Sequence, residues 1–351
     1  MFSGGLDSRL SVKIMQEQGF EVLPVFFKLP FGCGCCNEMG CSFNFSQVQG
    51  IKLEVFDCTK GELFREYMEV LKNPKFGKGA GVNPCKDCKI FMFRKAKEFA
   101  DKKGIELIVT GEVLNERPMS QTKKALEIIE EESGLKGRLL KPLSAKLIAE
   151  TNAEKNGLVD RSKLYDIHGR QRKRQMELAE KFKIKYPFPA GGCLLCEKFL
   201  IKRFEFLFKR GLDEKEFLLV NLGRHFVIDN AWIVLGRNKK ENDVIENLKT
   251  GKVIIPDFIG PSAVIFFPPV FIGKNTRPFR ARINLDSINE NNKKVNEATS
   301  SGRKISTKSD LEQDSFQAKQ DKIEKKVNEL LKAYSKQGSL KDRKKFEKWK
   351  V

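Results

Sequence analysis

A glycine-bearing turn that opens a helix constrains this chain more than any other stretch. Ser3-Gly4-Gly5-Leu6-Asp7-Ser8 is followed by an apolar-periodic segment with Leu10, Val12, Ile14 and Met15. Two glycines allow positive φ and let the backbone come close to a ligand. Backbone N–H groups at the helix start, with the hydroxyls of Ser3 and Ser8, make a concave donor site for a phosphate. No Lys follows the glycines, so the G-x-x-x-x-G-K-[ST] phosphate loop is excluded. Asp7 would repel a bare phosphate and is expected to work through Mg²⁺ or to cap the turn. An ordinary strand–turn–helix corner is the alternative. In an α/β fold such a loop follows the first parallel strand, yet only Met1 and Phe2 precede it. Several apolar, β-prone residues are therefore expected to belong before Met1.

Further along, helices alternate with short apolar strands. Helical patterns cover 9–19, 60–72, 91–102 and a stretch ending near Glu132. Strand patterns cover Phe20–Phe27, Ile51–Phe56, Ile105–Thr110 and Leu139–Leu143. This alternation predicts a doubly wound parallel sheet. Ligands in such sheets sit beyond the carboxyl ends of the strands. The phosphate loop, Cys85/Cys88 and the Thr110-Gly111-Glu112 turn all fall at such positions. A very basic helix is expected over 170–183, either as a solvated face or as a holder of RNA phosphates. Residues 198–286 change character and read as a smaller α+β domain. From 287 to 351 the chain becomes a basic, low-complexity tail, with 17 basic against 10 acidic residues over 288–351. Residues 288–318 are expected to be disordered. Residues 319–335 carry an amphipathic pattern of Ile323, Val327, Leu330 and Leu331. The expected domains are thus 1–197, 198–286 and 287–351.

The whole chain carries 66 basic and 46 acidic residues, a net charge of +20. Such an excess suits a polyanionic partner, and a lysine-rich genome explains it equally well. No apolar run reaches the roughly 20 residues of a membrane span, and no signal-peptide pattern opens the sequence. The expectation is a cytoplasmic protein with no membrane partner.

Nine cysteines in such a chain point to metal or redox chemistry rather than to structural disulfides. Cys33, Cys35, Cys36 and Cys41 crowd one glycine-containing loop, where a second sulfur-handling site and a plain loop are equal readings. Cys85/Cys88 and Cys193/Cys196 form two C-x-x-C pairs. Four thiolates could close on Zn²⁺. Three could hold an iron–sulfur cluster with one iron open. In a metal-free route one cysteine carries a persulfide and another resolves it.

Ser3–Ser8, Asn83-Pro84-Cys85-x-x-Cys88-Lys89, and Thr110-Gly111-Glu112-Val113-Leu114 through Ser120-Gln121 occur in that order. Together they resemble the PP-loop domain of tRNA 4-thiouridine synthetases and tRNA 2-thiouridylases, an adenine nucleotide alpha hydrolase-like fold. The closest likeness is a short form in which Gly191-Gly192-Cys193-Leu194-Leu195 follows the PP-loop domain and an NFACT-type RNA-binding module comes next. This resemblance covers roughly residues 1–285. It implies adenylation of a uracil carbonyl by ATP, then replacement of AMP by sulfur, with tRNA as partner and a homodimer as a possible assembly. Ser3, Gly4, Gly5, Asp7 and Ser8 would hold the pyrophosphate and Mg²⁺, and Thr110, Gly111 and Gln121 would line the nucleotide pocket. Cys85, Cys88 and Cys193 match the cysteines that hold a [4Fe-4S] cluster in cluster-dependent relatives. Cys196 departs from that pattern. No rhodanese-like stretch is visible, so sulfur would come from a cysteine desulfurase persulfide or from free sulfide. Two further readings stay open. One is a PP-loop ligase that delivers nitrogen. The other is an RNA-binding protein that has lost its ATPase function.

Overall fold

Alternating helices and short strands build an amino-terminal unit, Met1–Leu218, and a second unit spans Leu219–Val351. The computed structural model describes residues 1–32, 50–186, 192–268 and 308–351. Cys33, Cys35, Cys36 and Cys41 lie outside them, as do Pro187–Gly191 and most of the stretch expected to be disordered.

In the first unit, helix α1 (Leu6–Glu17) buries Leu6, Leu10, Ile14 and Met15, the face that the apolar period dictates. Gly19 at φ +86 follows its end, a conformation that costs glycine little. Strand β1 (Val25–Lys28) pairs in parallel with β2 (Glu54–Asp57), Val25 opposite Glu54. Helices α2 (Gly61–Lys72) and α3 (Cys85–Lys102) follow. Strand β3 (Ile108–Val109) pairs in parallel with β4 (Leu139–Leu140), with α4 (Lys123–Glu132) between them in sequence. Helix α5 (Lys173–Lys181) starts three residues later than the basic run suggests.

The unit is α/β, but among the described residues the expected continuous doubly wound sheet is two separate parallel pairs. Met1 and Phe2 bridge them. The amino group of Met1 donates to the Val109 carbonyl at 2.6 Å, and the Phe2 N–H to the Val25 carbonyl at 2.7 Å. Beside them lies a cavity of about 410 Å³. Val22–Val25 line one side and Leu107–Val109 the other, with Val12 and Met15 of α1 and Ala96 and Phe99 of α3 around it.

Desolvation pushes the Met1 amine down to about 5, against the upward pull of Glu112. An amine with a depressed folded-state pKa destabilises the fold wherever the unfolded amine is still protonated. Adding five Val/Ile-rich residues before Met1 is expected to fill the cavity and carry the charge out of it. The gain should be about 1–2 kcal/mol, roughly 2–8 °C for a unit of this size. It should be larger at pH 6 than at pH 8.5, where the unfolded amine is neutral too. Differential scanning calorimetry at the two pH values checks this.

The division between units falls at Leu218 rather than at 197. Helix α6 (Ile201–Arg210) packs on the first unit: Phe204 is fully buried edge-on to Phe31, at 5.1 Å between centroids. Phe217 lies 6.1 Å from the ring of Phe64 in α2.

The second unit is an antiparallel sheet in the order β5 (Arg224–Ile228), β6 (Ala231–Leu235), β8 (Ala263–Phe266), β7 (Lys252–Ile254). Helix α7 (Lys239–Glu246) connects β6 to β7. Asp229 and Asn230, both at positive φ, turn the first hairpin, as a two-residue primed turn requires. Helix α8 (Lys308–Tyr334) extends further toward the amino terminus than the amphipathic pattern alone suggests. Its Ile323, Val327, Leu330 and Leu331 bury against Phe226, Ile228, Ile233 and Ile265. Trp232 is fully buried, donates from Nε1 to His225 Nδ1 at 3.0 Å, and stacks on Phe266. Trp349 packs near Phe346 and Lys326.

Candidate active site

A cavity of about 520 Å³ in the first unit gathers the residues that the sequence singles out. Ser3, Gly4, Gly5, Asp7, Ser8, Thr110, Gly111 and Gln121 line it together with Cys85, Cys88, Cys193 and Cys196.

One wall is the start of α1. Gly4 takes φ +76, whereas Gly5 is extended at φ −78 and serves as the N-cap. Only the first glycine is therefore needed for its backbone. No side chain caps the helix, so its first N–H groups remain available to an anion. The Ser8 hydroxyl donates to the Gly5 carbonyl at 2.9 Å and lies 3.3 Å from the Ser3 hydroxyl. Arg9, unremarked in the sequence, locks the turn: its buried guanidinium donates to the carbonyls of Gly4 at 2.7 Å and Lys185 at 2.8 Å.

Gly111 fits because nothing larger can. A β-carbon there would lie 2.5 Å from the Ser8 nitrogen and 2.6 Å from the Asp7 carbonyl carbon. The Thr110-Gly111-Glu112 turn thus rests directly on the phosphate loop.

Two buried oxygens in this wall, Asp7 Oδ1 and Gln121 Oε1, have no partner among the described residues. Burying them so is unfavourable until a ligand completes them. Desolvation first, then the charge of Glu116, pushes Asp7 up to about 6, against the pull of Arg172 and Arg117. A divalent cation satisfies the carboxylate oxygen and an adenine amino group satisfies the amide oxygen, so these residues fit Mg²⁺ and ATP.

The opposite wall is sulfur. Cys85 and Cys88 open α3, where the free N–H ends favour a thiolate. Asn83 Nδ2 donates to Cys85 Sγ at 3.1 Å, and the Tyr67 hydroxyl lies 3.3 Å from Cys88 Sγ. The second pair is stitched down on two sides. Leu194 N–H donates to the Phe31 carbonyl at 3.0 Å, just after β1, and Val82 N–H donates to the Leu195 carbonyl at 2.9 Å. Gly81 permits this, since a β-carbon there would meet Cys196 C at 2.9 Å. Cys196 accepts from Cys193 and from Cys85, which holds Cys196 below and Cys193 above the ordinary thiol range. Burial raises Cys85, and it raises Cys88 to about 11.

Among the described residues no three His, Cys, Asp or Glu side chains are set to hold a metal ion. The donor chemistry still suits a thiophilic group, with soft sulfur ligands on a rigid helix start and a pinned loop. Cys58, at the end of β2, is fully buried and outside the cavity; desolvation pushes it to about 12.

Two ion pairs and a further arginine complete the lining among the described residues. Lys89 donates to Glu112, and both are largely buried. Arg172 forks onto Glu116 Oε1 at 2.9 and 2.7 Å. That arginine of the basic run thus turns inward, while Arg174 pairs with Asp166 at the surface. Arg117 stands at the rim.

Residues 1–151 match the model of the family described as thiamine biosynthesis protein (ThiI). The amino-terminal part of the chain is thus similar to the PP-loop tRNA-thiolation enzymes. The tRNA-specific 2-thiouridylase MnmA of Campylobacter hominis is 30% identical over 114 residues, 31% of this chain and 30% of that protein. Its namesake in Nitratiruptor is 30% identical over 116 residues, 31% of this chain and 32% of that protein. A bifunctional protein NifU/MnmA of Rubrobacter xylanophilus is 30% identical over 115 residues, 31% of this chain and 23% of that protein. The matches thus span a quarter to a third of these relatives. No helix among the described residues is long and apolar enough to cross a membrane.

Proposed function

We propose that this protein is a cytoplasmic, ATP-dependent tRNA uridine thiolase. One observation carries the reading: the phosphate loop and two C-x-x-C pairs face a single cavity. Catalysis here is mostly positioning and charge neutralisation. The α1 N–H groups, Ser3 and Ser8 hold the phosphates, Asp7 takes Mg²⁺, and Gln121 accepts from the base. The uracil carbonyl oxygen attacks the α-phosphorus and pyrophosphate leaves. Sulfur at the sulfide level then attacks the activated carbon; the C–O bond breaks and AMP departs with the oxygen. Donor sulfur is free sulfide, or the outer sulfur of a persulfide received from a cysteine desulfurase; in the latter case a second cysteine attacks the inner sulfur, closing a disulfide that an external thiol reduces.

Cys85, Cys88 and Cys193 would hold a [4Fe-4S] cluster, which when bound supplies an open iron for the sulfur. Cys196 accepts hydrogen bonds from two of these thiols and is the fourth sulfur the cluster leaves over. Outside the PP-loop unit, the lysine-rich residues 308–351 supply the charge for an RNA partner.

The whole chain, incubated with ATP, sulfide and unmodified tRNA, is expected to yield thiouridine by nucleoside mass spectrometry. Absence of both thiouridine and ATP–pyrophosphate exchange overturns the reading. Protein purified without oxygen should be brown and carry about four irons per chain. Cys193→Ser should lose most of that iron and its visible absorbance. Colourless wild-type protein that thiolates tRNA removes the cluster and leaves the metal-free persulfide route.

A further inference from the structure

Among the described residues three cationic side chains line the cavity: Lys89, Arg117 and Arg172. Two are committed, Lys89 to Glu112 and Arg172 to Glu116. The guanidinium of Arg117 is exposed and pairs with no carboxylate among the described residues. Its charge acts on Asp7 in the phosphate loop and on Cys85 and Cys196 in the sulfur wall. Arg117 thus lines the cavity that both halves of the site share.

Its backbone is fixed on both sides. Asn115, at φ +62, donates to the Gln121 carbonyl at 2.7 Å, and Gln121 N–H donates to the Arg117 carbonyl at 2.9 Å. Next to it, Glu116 is gripped by Arg172. The ordering left when Arg117 closes on a ligand is therefore confined to one side chain.

We propose that Arg117 forms an anion subsite for the α-phosphate of the adenine nucleotide, at the junction of the phosphate loop and the cysteines. This rests on the nucleotide reading above and names the residue that neutralises the departing AMP. Mg²⁺ at Asp7 neutralises only part of the triphosphate, and the committed pairs cannot release a further cation without stranding a buried carboxylate. The planar fork of an arginine also suits two phosphate oxygens at once.

Binding of AMP and of adenosine to the full chain, measured by calorimetry, tests this. Arg117→Ala is expected to weaken AMP at least about tenfold and to leave adenosine within about twofold. Arg117→Lys should recover part of the loss, since it restores charge without the fork. Equal weakening of both ligands would assign Arg117 a structural role and overturn the subsite. So would unchanged AMP affinity, including the case in which only tRNA binding falls. If the wild-type chain binds neither ligand, the nucleotide reading itself fails and the subsite falls with it.

Discussion

Gly111→Ala is expected to slow ATP–pyrophosphate exchange on the order of 100-fold while leaving the protein folded. The added β-carbon would lie 2.5 Å from the Ser8 nitrogen and 2.6 Å from the Asp7 carbonyl carbon. Both are backbone atoms of the phosphate loop and cannot swing aside as a long side chain does. Either the loop or the 110–112 turn must shift by about an ångström, and such a misplacement costs on the order of 100-fold in rate. Overpacking of this kind destabilises by roughly 1–3 kcal/mol, which a unit of this size survives. Gly5→Ala is the control. Its backbone is already extended, and the nearest atom to a new β-carbon is Ser3 Oγ at 3.6 Å. Folding should therefore be unaffected. Exchange by Gly111→Ala within tenfold of wild type would show that the two segments do not form one nucleotide wall.

At the other end of the cavity, Gly81→Ala should separate the two chemical steps. A side chain at 81 pushes the 193–196 turn away and breaks the Val82–Leu195 hydrogen bond. Cys193 and Cys196 then part from Cys85 and Cys88. The phosphate loop makes no use of Gly81, so ATP–pyrophosphate exchange should stay within about twofold, while tRNA thiolation falls on the order of 100-fold. Nucleoside mass spectrometry beside exchange kinetics reads both. Loss of exchange in this variant, or full thiolation, would mean that the four thiols do not act as one group.

Much of the site is legible in the sequence because its chemistry is local. Ser3–Ser8, the C-x-x-C at the start of α3, and Thr110-Gly111 each carry their meaning within a few residues. What stays hidden is long-range pairing. Arg172 looks like one of a basic run, and nothing local says that it meets Glu116, 56 positions earlier. Arg9 and Lys89 are hidden in the same way. The carboxyl-terminal helix shows the complementary limit. Ile323, Val327, Leu330 and Leu331 mark its apolar face, but Phe346, which also joins that core, sits in a lysine-rich segment with no period. A few anchoring side chains order a chain whose composition reads as solvated.

Both tryptophans of the chain, Trp232 and Trp349, lie in the carboxyl-terminal unit. Indole emission therefore follows that unit, with the Trp232–His225 hydrogen bond as its reporter, and is blind to melting of the amino-terminal unit. A fluorescence trace unchanged by Gly111→Ala would say nothing about whether the domain bearing the substitution is intact. Tyrosines 67, 165 and 186 make that domain visible in near-ultraviolet circular dichroism.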